Sequence, residues 1–500
     1  MFHLCRLNYC VLNREFLLNI LFLVFINLLI KPFFIFGIDL GVQNRAPEGD
    51  YGLYFTLFNF TYLFQILSDF GVQNFNNRQV SQHPKLLGKY FPNFLVIKVA
   101  LSIVYVVFSV LVAVLSQYDA RAIKLLLILL FNQVLVQYTL FLRSNVSGLG
   151  FYRIDSLLSS LDKFLMLITC GLVLWAPPLQ PFFSVELFAL AQTAALLATT
   201  LIVWLVLRYK AGGLRLRPSW THNRGTGALT LILLFKKSFP YALVILLMTA
   251  YTRLDAVLLE RMEGVVHADV YAGAYRLLDA ANMFGFLFAS LLLPMFARML
   301  KRGDAVRPLV SLSFKLIWAG SITLAATIFF ARQGLVELMM PERASAYRWD
   351  TLGILIWAFV PVCTTYIFST LLTADERLME MNRVFVIGLL LDVALDLLLI
   401  PRWQAHGAAI ATVSTQAFVA TGMVWLCSRD FGFTPSRRGL LQVLGFGLVV
   451  VVGDWLIFEK TGWPWPVKLG ASLGIGLFSC LLFGLMDIRQ LKKFVKRRNI

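Results

Sequence analysis

The sequence predicts an all-α polytopic membrane protein with about 14 transmembrane helices, arranged as two parallel, pseudo-symmetric six-helix lobes plus two C-terminal helices. Three observations carry that expectation. Hydrophobic residues make up 59% of the 500-residue chain and charged residues only 14%, against roughly 45–50% apolar in soluble domains. Apolar runs of about 20 residues, enough to cross about 30 Å of hydrocarbon at 1.5 Å per residue, recur along the whole chain. Finally, the two halves echo one another. Tyr51–Arg78 is matched by Tyr271–Arg298, VWLVLR at Val203–Arg208 by VWLCSR at Val424–Arg429, and the spacing of Arg153 and Asp162 by that of Arg383 and Asp392. An even number of crossings separates the copies, so they lie parallel, related by an axis along the membrane normal.

In order, the apolar runs cover residues 16–38, 51–73, 92–116, 123–142, 154–176, 183–207, 238–260, 271–297, 309–331, 351–373, 383–400, 406–427, 439–458 and 467–486. The first lacks a small-residue cleavage site and is too long for the apolar part of a signal peptide, so it reads as a retained helix. The connection after the sixth run is basic and rich in glycine and proline, the marks of a loop between lobes. The expected domains are therefore residues 1–210, a loop at 211–237, a second lobe at 238–430, and 431–500 with the last two helices and a basic tail.

Lysine and arginine gather in alternate connections, which orients the chain with both termini in the cytoplasm. The acidic connection Ala374–Arg383 is the exception. The net charge of +18 is thus spent on topology, and with no basic, aromatic-interleaved soluble segment it does not point to nucleic acid. Six cysteines without a CxxC, five scattered histidines and no Walker loop predict no metal, cofactor or ATP hydrolysis.

The charges inside the runs carry the functional expectation, because a cation in hydrocarbon costs roughly 2.5–3.5 kcal/mol and normally faces a partner or a cavity. Arg276 is expected about 8 Å below the outer boundary, with Lys31 and Arg253 at about 10 Å, counted at 1.5 Å per residue. Three cations at one depth suit a pyrophosphate, which arginine binds bidentately and lysine as a point charge. Arg276 can instead pair with Asp279, and Arg253 with Asp255. Lys98 and Lys315, near inner helix ends, are expected to snorkel. Asp392 and Asp396, one turn apart, together with Asp162, Asp255 and Asp279, are candidates for coupling to a proton or sodium ion.

The architecture resembles the oligosaccharide flippases (Wzx-type polysaccharide transporters) of the multidrug/oligosaccharidyl-lipid/polysaccharide exporter superfamily. The local carriers are GDYGLYFTLF at Gly49–Phe58, TRLDAVLLE at Thr252–Glu260 and YAGAYRLLDA at Tyr271–Ala280. In related lipid II flippases the eighth helix carries a cavity arginine in a similar Tyr-x-x-Arg setting, and Arg276 looks like its counterpart. The resemblance implies a secondary transporter, not an enzyme. It would move an undecaprenyl-pyrophosphate-linked oligosaccharide, an O-antigen or exopolysaccharide repeat unit, across the bacterial inner membrane by alternating access, as an antiporter driven by a cation or proton gradient, among membrane lipids and alongside glycan polymerase machinery. Few arginines in the first two helices set it apart from the lipid II pattern. Rival readings are a lipid II-type flippase, a multidrug exporter of the same superfamily, whose members typically have twelve helices, and a glycan polymerase or ligase. The last is disfavoured by an outer connection of only about 19 residues, Arg332–Asp350.

Overall fold

The computed structural model describes residues 30, 32–73, 76, 80, 87–212, 224–433 and 437–485. Its helices are α1 (Leu40–Arg45, entered through a π turn at Phe34–Asp39), α2 (Asp50–Leu63), α3 (Leu87–Leu115), α4 (Ala120–Gly148), α5 (Tyr152–Trp175), α6 (Val185–Lys210), α7 (Arg224–Glu263), α8 (Val265–Arg302), α9 (Arg307–Met339), α10 (Ala346–Leu355), α11 (Phe359–Ala374), α12 (Leu378–Phe431), α13 (Arg437–Trp455) and α14 (Trp465–Leu482). Eleven helical segments among the described residues are long and apolar enough to cross a membrane. The protein is a multi-pass α-helical membrane protein. The chain divides into two compact units, Met1–Val257 and Leu258–Ile500.

The expected first run lies mostly outside the described residues. The expected second run is not one helix: α2 ends at Leu63, a 3-10 turn follows at Gln65–Ser68, and Phe70 and Gly71 take positive φ. The expected eleventh and twelfth runs join into the 54-residue α12, which reverses at Gln404 (φ 47°, ψ −122°). A Cβ on Gly388 would meet Val419 at 2.7 Å and one on Gly422 would meet Val384 at 2.7 Å, so the two arms pack antiparallel with almost no gap. Small residues at such crossings let helix backbones approach closely.

Helix starts obey capping chemistry. Asp119 and Ser184 accept from the N–H groups of Ala122 and Leu187, and Ser345 from that of Arg348, each satisfying a donor that the first turn leaves open. Between α7 and α8 only Gly264 intervenes, at φ 96°. That conformation costs a glycine little and a Cβ-bearing residue much. Consequently α8 begins at Val265, six residues before the run that predicted it, and extends for 38 residues.

In the first unit α3 is polar inside and apolar outside. Lys98, Ser102, Tyr105 and Ser109 are buried, whereas Ile103, Val107, Leu111 and Leu115 form an exposed stripe, as suits a helix bathed in lipid. Lys98 therefore does not snorkel as expected. It is fully buried, donates to Asp69 and lies 3.4 Å from the Ser68 carbonyl, because the break after α2 brings an acid to its level. Lys315 is half-buried.

In the second unit the acidic connection is accounted for by an ion-pair lattice. Arg377 contacts Asp375 at 2.6 Å and Asp430 at 2.7 Å, and Arg429 contacts Glu380 and, at 2.7 Å, Asp430. The Asp375 hydrogen bond pulls the Arg377 guanidinium above its ordinary range. The acids at this end are counterions to two arginines and do not contradict the charge rule.

Candidate functional site

In the first unit, α2 is a ladder of aromatic rings at helical spacing. Tyr51 and Tyr54 are 5.6 Å apart between centroids, Tyr54 and Phe58 6.0 Å, and Phe58 and Tyr62 5.0 Å. Phe58 and Tyr62 are only half-buried. Arg253 of α7 reaches this ladder: Nη1 donates to Asn59 Oδ1 at 3.1 Å and the guanidinium stands 5.7 Å from the Tyr62 ring centre. The Asn59 amide is fixed in turn, donating from Nδ2 to the Phe55 carbonyl at 2.8 Å. The cation is thus positioned by a hydrogen bond and a π face together. Asp255 is buried, and its Oδ1 accepts from the Ala256 N–H at 2.7 Å. Asp162 on α5 is half-buried, 4.0 Å from Lys163.

In the second unit Arg276 is only 5% exposed. It lies eleven residues into α8, about 16 Å from the helix start at 1.5 Å per residue, deeper along the helix than its run suggested because the helix starts early. Tyr271 and Tyr275 are buried on the same helix with ring centres 5.5 Å apart, and the Tyr271 hydroxyl is 3.0 Å from Thr412 Oγ1 of α12. Asp279 is half-buried. Asp392 and Asp396 are fully buried on the first arm of α12. The close crossings at Gly388 and Gly422 set the register of the hairpin, which puts Asp392 level with Thr415 and Asp396 level with Ala411. Thus α8 and α12 together carry a buried arginine, two tyrosines, two threonines and two carboxyls. Lys31 lies outside the described residues. Arg253 belongs to the first unit and Arg276 to the second.

Sequence reasoning missed a buried pair on the second unit. Arg348 Nη2 donates to Asp269 Oδ2 at 2.6 Å, with Asp269 fully buried and Arg348 6% exposed, and Arg343 stands 3.8 Å from the same oxygen. Both partners sat just outside apolar runs and passed for loop charges. The signal was available in their opposite signs at the ends of the eighth and tenth runs.

Behind α8 lies a cavity of about 480 Å³, lined by Phe284, Phe288, Leu324, Leu473 and Leu477 among other mostly apolar side chains. Among the described residues no cluster of three or more His, Cys, Asp or Glu could hold a metal ion.

A profile of the family described as "Polysaccharide biosynthesis protein" matches residues 42–300. No curated protein matches the chain. Among solved structures, the chain is similar to the lipid II flippase MurJ in an inward closed conformation, with TM-score 0.67 and 14% identity, covering 93% of this chain and 99% of that one. It is also similar to an inward-facing multidrug resistance MATE family transporter of the MOP superfamily, with TM-score 0.65 and 13% identity, covering 81% and 98%. A MOP superfamily transporter from Pyrococcus furiosus matches with TM-score 0.61 and 14% identity, covering 83% and 96%. With more than half its length matched by the profile, the chain belongs to the polysaccharide biosynthesis protein family, and its fold is that of the MOP superfamily transporters.

Proposed function

We propose that this protein is a flippase that carries a lipid-linked, pyrophosphate-bearing oligosaccharide from the inner to the outer leaflet of a bacterial cytoplasmic membrane by alternating access. The observation that carries the reading is Arg276, a guanidinium 5% exposed on a long membrane-crossing helix. A cation within a membrane-crossing segment normally faces a partner or a cavity, and a pyrophosphate is a group that arginine binds bidentately. Arg253, held by Asn59 over Tyr62, supplies a second cation, and Lys31 the third of the set expected from the sequence. The apolar cavity behind α8 is suited to part of a lipid chain. Both termini are placed in the cytoplasm and the two six-helix lobes in parallel, on the charge pattern and the internal echoes.

The drive is a proton or sodium gradient. Asp392 and Asp396 are the best placed of the candidate acids, being fully buried on the α12 hairpin, with Asp255 and Asp279 as further candidates. Asp162, partly exposed beside Lys163, is the weakest. The favoured cargo is an O-antigen or exopolysaccharide repeat unit, delivered to glycan polymerase machinery. A second reading, a lipid II-type substrate, is supported by the fuller coverage of this chain by the lipid II flippase structure.

Reconstitution in vesicles with a fluorescent lipid-pyrophosphate oligosaccharide, and in parallel with lipid II, tests both. Arg276→Ala is expected to slow translocation at least about tenfold, the loss of one charge-assisted contact, with Arg276→Lys keeping part of the rate. Wild-type rates from Arg276→Ala on both substrates would remove this residue from transport, and whichever lipid the intact protein moves faster decides the cargo.

A further inference from the structure

Where α13 and α14 pack on α9, three helices meet around one carboxyl. Asp454 of α13 is fully buried, and neither of its carboxylate oxygens has a hydrogen-bond partner among the described residues. The neighbouring surfaces bring hydroxyls to it. Ser472 of α14 lies within interaction range of the carboxyl, and its Oγ is 2.5 Å from Thr327 Oγ1 of α9, both groups being buried. Thr327 in turn donates to the Thr323 carbonyl at 2.8 Å. The helices approach closely at two points beside this network. A Cβ on Gly476 would lie 2.2 Å from Thr323 Cγ2, and one on Gly453 would lie 3.1 Å from Ile475 Cδ1.

The charged groups on the helices around Asp454 are engaged elsewhere or distant. Lys468 of α14 donates to the Phe458 carbonyl at 2.8 Å, Lys460 stands 5.5 Å from the Trp455 ring centre, and Glu459 sits beside it at the end of the same segment. On α9, Arg332 faces Asp350 at 3.4 Å and Glu337 accepts from Gln333 at 2.9 Å. Lys315 is twelve residues from Thr327, about 18 Å along the helix. An ionised carboxylate in hydrocarbon with no cation beside it among the described residues is strongly disfavoured, and such a group neutralises instead. It can do so with a metal cation or a proton. A sodium ion needs several oxygen ligands, whereas among the described residues this junction offers one carboxyl and one adjacent hydroxyl that is already shared with Thr327.

We propose that Asp454 is a proton-binding site, holding a proton where α13 and α14 dock on α9. As a neutral acid it can donate to a hydroxyl, and docking of the C-terminal helix pair retains the proton. Opening the junction to water releases it. The site is separate from Arg276 and from the acids considered for coupling, and it stands whether or not the transported cargo is a lipid-linked sugar.

Infrared difference spectra of the purified full-length protein at neutral pH, wild type minus Asp454→Asn, test this. The expected result is loss of one protonated-carboxyl C=O band in the variant, with the band shifted in Ser472→Ala and unmoved by excess sodium chloride. The wild-type melting temperature is expected to fall as pH rises, since the bound proton is lost, and that of Asp454→Asn to stay flat. Carboxylate bands in place of the protonated one, or a band that sodium removes, overturn the proposal. Should Asp454→Asn fail to fold, Ser472→Ala alone decides, and a spectrum identical to wild type in the protonated-carboxyl region overturns it.

Discussion

Lys98 and Asp69 form a buried ion pair across the break that follows α2. The carboxylate also receives the N–H groups of Gly71 at 3.1 Å and Gln73 at 3.3 Å, so one acid both closes the turn and neutralises the ammonium. Nearby, the Tyr105 hydroxyl donates to the Thr61 carbonyl at 2.8 Å, tying α3 to the last turn of α2. The break is held by side chains that a continuous helix would not need.

Removing one partner should therefore cost far more than removing both. Lys98→Met leaves an uncompensated acid and is expected to lose about 3–5 kcal/mol, while Lys98→Met with Asp69→Asn recovers a large part of it. Thermal melts of the four proteins of the cycle check this; additive losses would mean the pair is not coupled.

Arg348 and Arg343 approach the same Asp269 oxygen, at 2.6 Å and 3.8 Å. The nearer, buried arginine is expected to matter more, with Arg348→Ala costing about 3–5 kcal/mol and Arg343→Ala about 1 kcal/mol or less. Equal destabilisation of the two variants would contradict the geometry.

The α12 reversal makes two opposite predictions three residues apart. A Cβ at Gly407 would lie 2.3 Å from the Leu399 carbonyl oxygen, so Gly407→Ala is expected to cost about 3 kcal/mol or more. Gln404 sits at φ 47°, ψ −122°, a region glycine tolerates better, so Gln404→Gly is expected to gain about 1 kcal/mol. Melting temperatures that move in the same direction would count against this reading of the turn.

Asn59 orients Arg253 and does not itself carry charge. In the vesicle assay, Asn59→Ala is expected to reduce transport by roughly tenfold, the value of one hydrogen bond to a charged group, and Asn59→Asp to retain the orientation. Unchanged transport in Asn59→Ala would confine that contact to structure.

Much of the helical architecture could be read from apolar run length alone, because a bilayer demands about 20 residues per crossing. The break after α2 could not: FQILSDF at Phe64–Phe70 carries no glycine or proline, and the partner of its Asp69, Lys98, comes from another helix. The reversal at Gln404 was hidden because glutamine is no turn signal, although Pro401 stands close by. Arg276 was legible as a charge within an apolar run. Its distance from the helix start differs from the count along its run, because Gly264 turns the chain in a single residue and starts α8 early. Asp269 and Asp454 were overlooked for one reason, that each lies near a run's end, where an acid passes for a solvated one until three-dimensional packing buries it.

At 38 residues, α8 is about 57 Å long, against about 30 Å of hydrocarbon. Its final turns, bearing the exposed Arg298, Lys301 and Arg302, must then stand in the headgroup layer or beyond it. There they complement the negative end of the helix dipole and attract acidic phospholipids. The protein should therefore gather its own collar of anionic lipid, and detergents that strip this collar should loosen the C-terminal turns of α8.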